Sequence, residues 1–463
     1  MTEVPTKAAT VAVIGGGLAG MAAGCALADA GLHVTIFERR PYLGGRASSY
    51  EHPGTSEVVD NCQHVLLGCC TNLLEFYKRI GVEGKIRWYE RLTFVEPGGR
   101  QSTVSPSWLP APFHNAPSFL AASFLDWDDK LGIGRAMMSL MGRTPEDRGE
   151  SFLQWLKNHA QTPRAIERFW KPVLVSALNE ELERIAVPYA ALVFRESFLK
   201  SRDAGRMGLP AVPLTELYRA AGEYISARGG EIQLRAPVES FSPEIDRVSL
   251  CAAGKPAVAD FAVVAVPFET VAKVLPQAPE AQPLREAVEN LNPSPITGVH
   301  LWLDRAVTEL DHAVLLDRTI QWMFNKSKIL GRTEDNYLEL VVSASNTLVE
   351  KSRGEIVDLA MRELAEFFPQ VRDAKLLKST VIKEVNATYS PRPRADFFRP
   401  SAVSPWRRIF LAGDWTLTGW PATMEGAVRS GHRAAEALTQ TAGLRGIHVT
   451  APDLQARGLM RFF

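Results

Sequence analysis

The sequence predicts an α/β protein in which a parallel-sheet, dinucleotide-binding domain is interleaved with a second domain of mixed α+β type. Three observations carry this. A β-branched run, "VAVI", passes through Gly15, Gly17 and Gly20 into an alanine-rich helix. A second apolar run, "IFLA", passes through Gly413-Asp414 into a helix starting near Met424. Between these ends, strand and helix patterns alternate over residues 214–267, and long stretches that do not fit a parallel sheet flank them. At 463 residues the chain is long for one core, so two discontinuous domains are expected.

Residues 11–14 form the first strand and residues 18–30 the helix, ended by Gly31. Gly15 permits the tight turn, Gly17 lets the backbone approach a phosphate, and Gly20 lets helix pack on strand. The helix N-terminus, with Leu18 and Ala19 in its first turn, is the anion site of such a unit. Residues 33–37 make the second strand, and Glu38 at its end stands where a carboxylate accepts from ribose hydroxyls. This β-α-β unit is Rossmann-like. The next stretch, "RRPYLGGR", indicates FAD. An NAD site requires nothing particular there, whereas Gly44-Gly45-Arg46 offers small residues and a cation within reach of a longer cofactor's phosphates. At the other end, Asp414 and the helix N-terminus at Met424 would meet the part of FAD that the first unit leaves uncovered.

Residues 214–228 read as a helix ending at Gly229-Gly230, residues 231–234 as a strand, "PVESF" from Pro237 as its neighbour, and "FAVVAVP" from Phe261 as a buried strand. The expected division is a cofactor domain from residues 1–100, 207–285 and 400–463, with a substrate domain from 101–206 and 286–399. In the latter, "VHLWLD", "IQWMFN" and "YLELVVSAS" alternate like strands that could wall an apolar tunnel.

Residues 101–125 carry no formal charge and include Trp108, Phe113, Phe119 and Phe124, yet Pro106, Pro110, Pro112 and Pro117 forbid a spanning helix. Two readings stay open: a patch lying in a lipid interface, or a proline-rich connection followed by a core helix. Cys62, His64, Cys69 and Cys70 lack metal-ligand spacing, so no metal site is expected. The 52 basic and 52 acidic residues balance, which gives no long-range pull toward nucleic acid. Five cysteines make no disulfide framework, and "MTEVPTKAAT" lacks the apolar core of a signal peptide. A cytoplasmic protein, peripheral on the inner face of the membrane if the apolar patch meets lipid, is expected.

The glycine fingerprint with Glu38, the Gly44-Gly45-Arg46 motif and the ending "GDW…PATMEGAVRSG" resemble the flavin-containing amine oxidase and carotene desaturase superfamily. Within it, "DNCQHVLLGCCTNLLEFYKRIGV" and "LPAPF" are most similar to the squalene-associated desaturase-like branch, the hydroxysqualene dehydroxylases of hopanoid synthesis. The similarity is strongest over residues 11–82 and 409–438. It implies an amine oxidase or phytoene desaturase-like fold. It also implies an FAD site of Gly15, Gly17, Leu18, Ala19, Gly20, Glu38, Arg39, Gly45, Arg46, Val238, Gly413, Asp414, Met424 and Glu425, with the Val238 backbone at the adenine. It places Cys62-Gln63-His64 close to the flavin ring, which makes His64 and Asp60 candidate proton donors beside an ordered water. The implied substrate is hydroxysqualene and the implied partner an upstream isoprenoid synthase. A carotene desaturase, a flavin amine oxidase and a non-catalytic scaffold are the rivals.

Overall fold

The computed structural model describes residues 8–142, 144–444 and 446–462. Residues 1–7, on which the signal-peptide reading partly falls, lie outside the described residues.

A parallel sheet of five strands runs in the order Glu231–Leu234, His33–Glu38, Thr10–Ile14, Phe261–Val264, Ile409–Leu411. Parallel neighbours need crossovers, and helix Leu18–Asp29 provides the first. That helix is buried on nearly every side because it lies between the sheet and two other helices, Leu214–Ser226 and Met424–Thr441, in one core. Alanines 19, 22, 23 and 26 keep it thin enough to fit. Gly20 is the tightest point: a Cβ there would stand 1.9 Å from the Gly15 carbonyl oxygen.

The strand starting at Val238 departs from the sequence expectation. Val238–Pro243 does not extend the parallel sheet beside Glu231–Leu234 but pairs antiparallel with Val248–Ala252, which pairs in turn with Lys255–Ala259. Its charged, alternately exposed residues suit a small meander better than a two-sided buried sheet.

A second sheet has seven strands in the order Leu376–Tyr389, Pro293–Leu303, Asn336–Ser343, Trp322–Asn325, His312–Leu315, Leu92–Val95, Gln101–Val104. All its pairs are antiparallel except His312–Leu315 with Leu92–Val95. The boundary expected at residue 100 therefore falls inside a hairpin whose two strands both belong to this sheet. Helices Trp127–Leu140, Phe152–Asn158, Lys171–Leu178 and Val187–Phe194 close one side around Phe152, Trp170 and Phe194.

Residues 101–125 are buried in part and exposed in part, and helix Ala116–Ala121 within them buries no residue fully. Phe124 and Leu125 are core, and Phe119 packs on Phe169. Trp108 is 86% exposed, and Phe113 and Leu120 face outward. Helix Trp127–Leu140 adds exposed Trp127, Leu131 and Met138, and the C-terminal turn Gly458–Phe462 adds Leu459 and Phe462. That turn is tied to this region by the Leu459 amide donating to the Ala111 carbonyl at 2.9 Å. Among the described residues no helix is long and apolar enough to cross a membrane.

Candidate active site

One cavity of about 750 Å³ runs from the C-terminal ends of the parallel strands to the second sheet and the helical layer. Its first end is built by the N-terminal unit. Helix Leu18–Asp29 starts without a side-chain cap, so the amides of its first turn, beside Leu18 and Ala19 in the cavity wall, are free for an anion. Glu38 is aimed by two amides: Oε2 accepts from Gly16 at 2.7 Å and Oε1 from Arg40 at 2.8 Å. Arg39, which is exposed, and Val238 also line the cavity. The Gly44-Gly45 loop closes on the first turn, with Gly44 N–H donating to the Gly16 carbonyl and Arg40 holding the Gly45 carbonyl at 2.6 Å. Gly45 has φ +60°, and a Cβ on it would come within 2.9 Å of Gly17 Cα. Only glycine leaves this cradle open.

The C-terminal motif meets this loop. The Arg46 guanidinium lines the cavity, pairs with the Asp414 carboxylate and donates to the Ala387 carbonyl at 2.9 Å. The cation and anion thus join the first and last segments of the chain at the cavity wall. Gly413 donates to Ser430 Oγ at 2.7 Å, and helix Met424–Thr441 begins at the wall with Thr423 capping Gly426.

Glu425 requires a correction. Its residue lines the cavity, but its carboxylate accepts from the Asn72 and Leu73 amides, Asn72 Nδ2 and Arg429 Nε at 2.6–3.1 Å. It anchors the start of helix Thr71–Arg79, so a side-chain role toward the cofactor is withdrawn.

After strand Glu57–Asp60 the chain turns along the wall, with Asn61 bonding back to the Arg46 carbonyl at 2.7 Å. Asp60 is not part of the wall. Its carboxylate is buried against Lys326 Nζ at 2.8 Å and Ser49 Oγ at 2.6 Å. Burial disfavours its charge, but the Lys326 ammonium and these bonds outweigh it and hold the carboxyl below the usual range. A carboxylate so placed cannot serve as an acid toward the cavity. His64 does line the cavity, its Nδ1 2.7 Å from the Cys62 carbonyl. A carbonyl only accepts, so the neutral ring carries its proton on Nδ1 and leaves Nε2 as an acceptor. Burial pushes the imidazole below its ordinary value, which favours that neutral ring.

The other end of the cavity is apolar. Strands of the second sheet contribute Phe94, Ile296, Trp322, Phe324 and Val341, and the helical layer contributes Val173, Leu192, Val193 and Phe198. Trp322 and Phe324 stack side by side on one strand at 5.5 Å, too close to hold an amine between them. Lys326 and Glu196 were not read from the sequence. Lys326 follows a strand with no spacing to flag it; Glu196 was visible as the lone carboxylate in "VPYAALVFRESF".

This cavity, with its glycine cradle, aimed carboxylate and long path across two sheets, suits an extended dinucleotide. Residues 18–439 match the flavin containing amine oxidoreductases; the chain belongs to that family, and its cofactor is FAD. More particularly, it is 28% identical to the 15-cis-phytoene desaturase of Synechococcus elongatus over 457 residues, covering 92% of this chain and 95% of the relative. It is 27% identical to the zeta-carotene desaturase of a Synechocystis species, covering 92% and 96%. In fold it is similar to an oxidoreductase from Methanosarcina mazei (TM-score 0.72, 19% identity, 91% and 98% covered). It is also similar to putrescine oxidase bound to putrescine (TM-score 0.67, 17% identity, 93% and 99% covered). The protein is an FAD-dependent oxidoreductase of the amine oxidase and carotene desaturase superfamily.

Proposed function

We infer that the protein is a hydroxysqualene dehydroxylase, which replaces the allylic hydroxyl of hydroxysqualene with hydrogen to give squalene. One observation carries this reading. The stretch on which the branch resemblance rests supplies Asn61, Cys62, Gln63, His64, Val65, Leu67, Cys69 and Cys70 to the cavity, facing a wall of hydrocarbon side chains. In this reading FAD, when bound and reduced, supplies the hydride. The protein does the rest. The first turn of helix Leu18–Asp29 would hold the pyrophosphate, Glu38 the ribose and Val238 the adenine, with Arg39 at the rim. Gly413 and Met424 would stand on the flavin side, and the Arg46–Asp414 pair fixes the loop between the two halves. His64 Nε2 accepts a hydrogen bond from the substrate hydroxyl or a water, and the apolar wall keeps bulk water from an allylic cation.

The names of the curated relatives favour a second reading, a desaturase that moves hydride from a hydrocarbon to oxidised flavin through the same cavity. Direction decides between them. Anaerobic enzyme reduced beforehand should convert hydroxysqualene to squalene in one turnover while its flavin absorbance returns, and oxidised enzyme should leave hydroxysqualene unchanged. Reduced enzyme inert to hydroxysqualene, with oxidised enzyme bleached by phytoene or squalene, would establish the desaturase. An amine oxidase is opposed by the hydrocarbon side chains that dominate the wall at the second sheet and the helical layer.

The exposed apolar surface around Trp108, Phe113, Trp127, Leu131 and Phe462 would let the enzyme take such a substrate from a lipid surface. Wild-type protein should float with liposomes with weak salt dependence, because apolar burial rather than basic charge drives it. The double variant Trp108→Ser, Phe113→Ser should lose about tenfold or more in partitioning. Equal flotation of both forms would refute the membrane reading.

A further inference from the structure

A dehydroxylase needs an acid in its cavity, and the two candidates read from the sequence do not supply one. Asp60 is outside the wall and His64 presents an acceptor. Among the described residues, the carboxylates that line the cavity are Glu38, Glu196, Glu269, Glu384, Asp414 and Glu425. Five of these gather near the cofactor loops. Glu38, Asp414 and Glu425 are committed to the partners given above, Glu384 meets Asn61 Nδ2 at 3.3 Å, and Glu269 stands in the field of Arg46 and Arg39.

Glu196 is placed differently. Helix Val187–Phe194 runs into a π-helical turn, Arg195–Leu199, and Leu192, Val193, Glu196 and Phe198 all meet the cavity. Such turns recur at functional sites. The Glu196 side chain is 8% exposed; Oε2 accepts from Lys200 Nζ at 2.7 Å, and Oε1 has no protein partner among the described residues. Its turn also reaches the cofactor side. Ser197 Oγ is 3.5 Å from Cys69 Sγ, and Cys69 packs with Trp420, which precedes the Met424 helix.

We propose that Glu196 is the acid of this site, the carboxyl that seats the hydroxyl of a polyprenyl alcohol and gives it the proton with which it leaves as water. The proposal rests on the dehydroxylase reading and names the group that reading requires. Burial raises the carboxyl above its ordinary value and Asp453, from the C-terminal segment, adds to this, while Lys200 and Arg195 on its own turn oppose it. The cavity-facing residues of helix Lys171–Leu178, namely Pro172, Val173, Ser176 and Ala177, bring no charge. In the reaction the C–O bond breaks, and oxygen departs with its own hydrogen and the Glu196 proton. The hydride for the new C–H bond would come from the cofactor in its two-electron-reduced form, whose oxidation balances the reduction of the alcohol carbon. The Glu196 carboxylate, held by Lys200, takes a proton back from solvent.

The test uses FAD-loaded wild type, Glu196→Gln and Glu196→Leu. In the oxidised state, where no turnover occurs, quenching of protein tryptophan fluorescence should show wild type binding hydroxysqualene about tenfold more tightly than squalene. Glu196→Leu should lose that preference while keeping squalene affinity and FAD content. In reduced enzyme, Glu196→Gln should slow the single turnover by about 10²–10⁴-fold. It should also abolish the loss of rate on the alkaline side of the wild-type pH profile. Variants that keep the alcohol preference and the wild-type rate overturn the proposal and leave the dehydroxylase reading standing. Wild type that neither binds nor consumes the alcohol overturns both.

Discussion

Replacing Lys326 with methionine should lower the free energy of unfolding by about 3–5 kcal/mol, because removing one member of a buried ion cluster leaves uncompensated charge. Lys326 is 1% exposed, and its Nζ lies 2.8 Å from both Asp60 Oδ2 and Gln63 Oε1 and 3.4 Å from Glu339 Oε2. The cluster stands directly behind the wall residues Gln63 and His64. The variant should therefore unfold at a clearly lower denaturant midpoint, and a midpoint equal to wild type would refute the assignment. The cluster also titrates. Burial pushes Glu339 from its ordinary 4.5 up to about 7, Lys326 acting in the opposite sense. A carboxyl raised by folding contributes stability in full below about pH 4.5 and loses it as pH climbs through about 7. At about 1.4 kcal/mol per pKa unit, the contribution is on the order of 3 kcal/mol. Buried His300 and His432, each lowered to about 3 chiefly by burial, act the other way, losing stability as pH falls below the ordinary histidine range. The stability difference between wild type and Glu339→Gln isolates the carboxyl. It should shift against wild type between about pH 5 and pH 8, and a constant difference would show that Glu339 does not titrate there.

Glu38→Arg should purify nearly free of flavin while retaining wild-type far-ultraviolet circular dichroism. The native carboxylate is held by the Gly16 and Arg40 amides, and a hydrogen bond to a charged group is worth about 1.5–3 kcal/mol. The substitution removes both, reverses the charge, and places a longer side chain beside the glycine cradle. The ratio of absorbance at flavin and protein wavelengths reads the result directly. Glu38→Gln, which keeps the shape, should fall between the two. Wild-type flavin content in the arginine variant would exclude Glu38 from the cofactor site.

What could be read from the chain was local in sequence. Residues 11–38 fold as a contiguous strand, turn, helix and strand, and their glycine spacing follows from backbone geometry that neighbouring residues impose on each other; the structure gives Thr10–Ile14, Leu18–Asp29 and His33–Glu38. The same holds for Leu214–Ser226, Glu231–Leu234 and the helix at Met424. This short-range order carried the fold class and pointed to the cofactor, while the full set of residues expected around FAD came with the family resemblance.

Tertiary structure decided the rest, since it depends on partners hundreds of residues apart. Nothing near Arg46 announces that Asp414 will neutralise it, and nothing near Asp60 announces that Lys326 will fix it as a carboxylate behind the wall. The family resemblance placed Glu425 with the cofactor residues, yet Asn72, Leu73 and Arg429 claim its oxygens. Strand pairing was equally non-local: Val238 chose Ala252 over the adjacent strand, and the hairpin at Leu92 joined a sheet otherwise built from residues beyond 290. Glu196, beside Arg195 at the end of an apolar helix, has no periodic meaning in sequence. Only the packing of that helix in the second core, and of its final turn against Cys69, places Glu196 at the cavity.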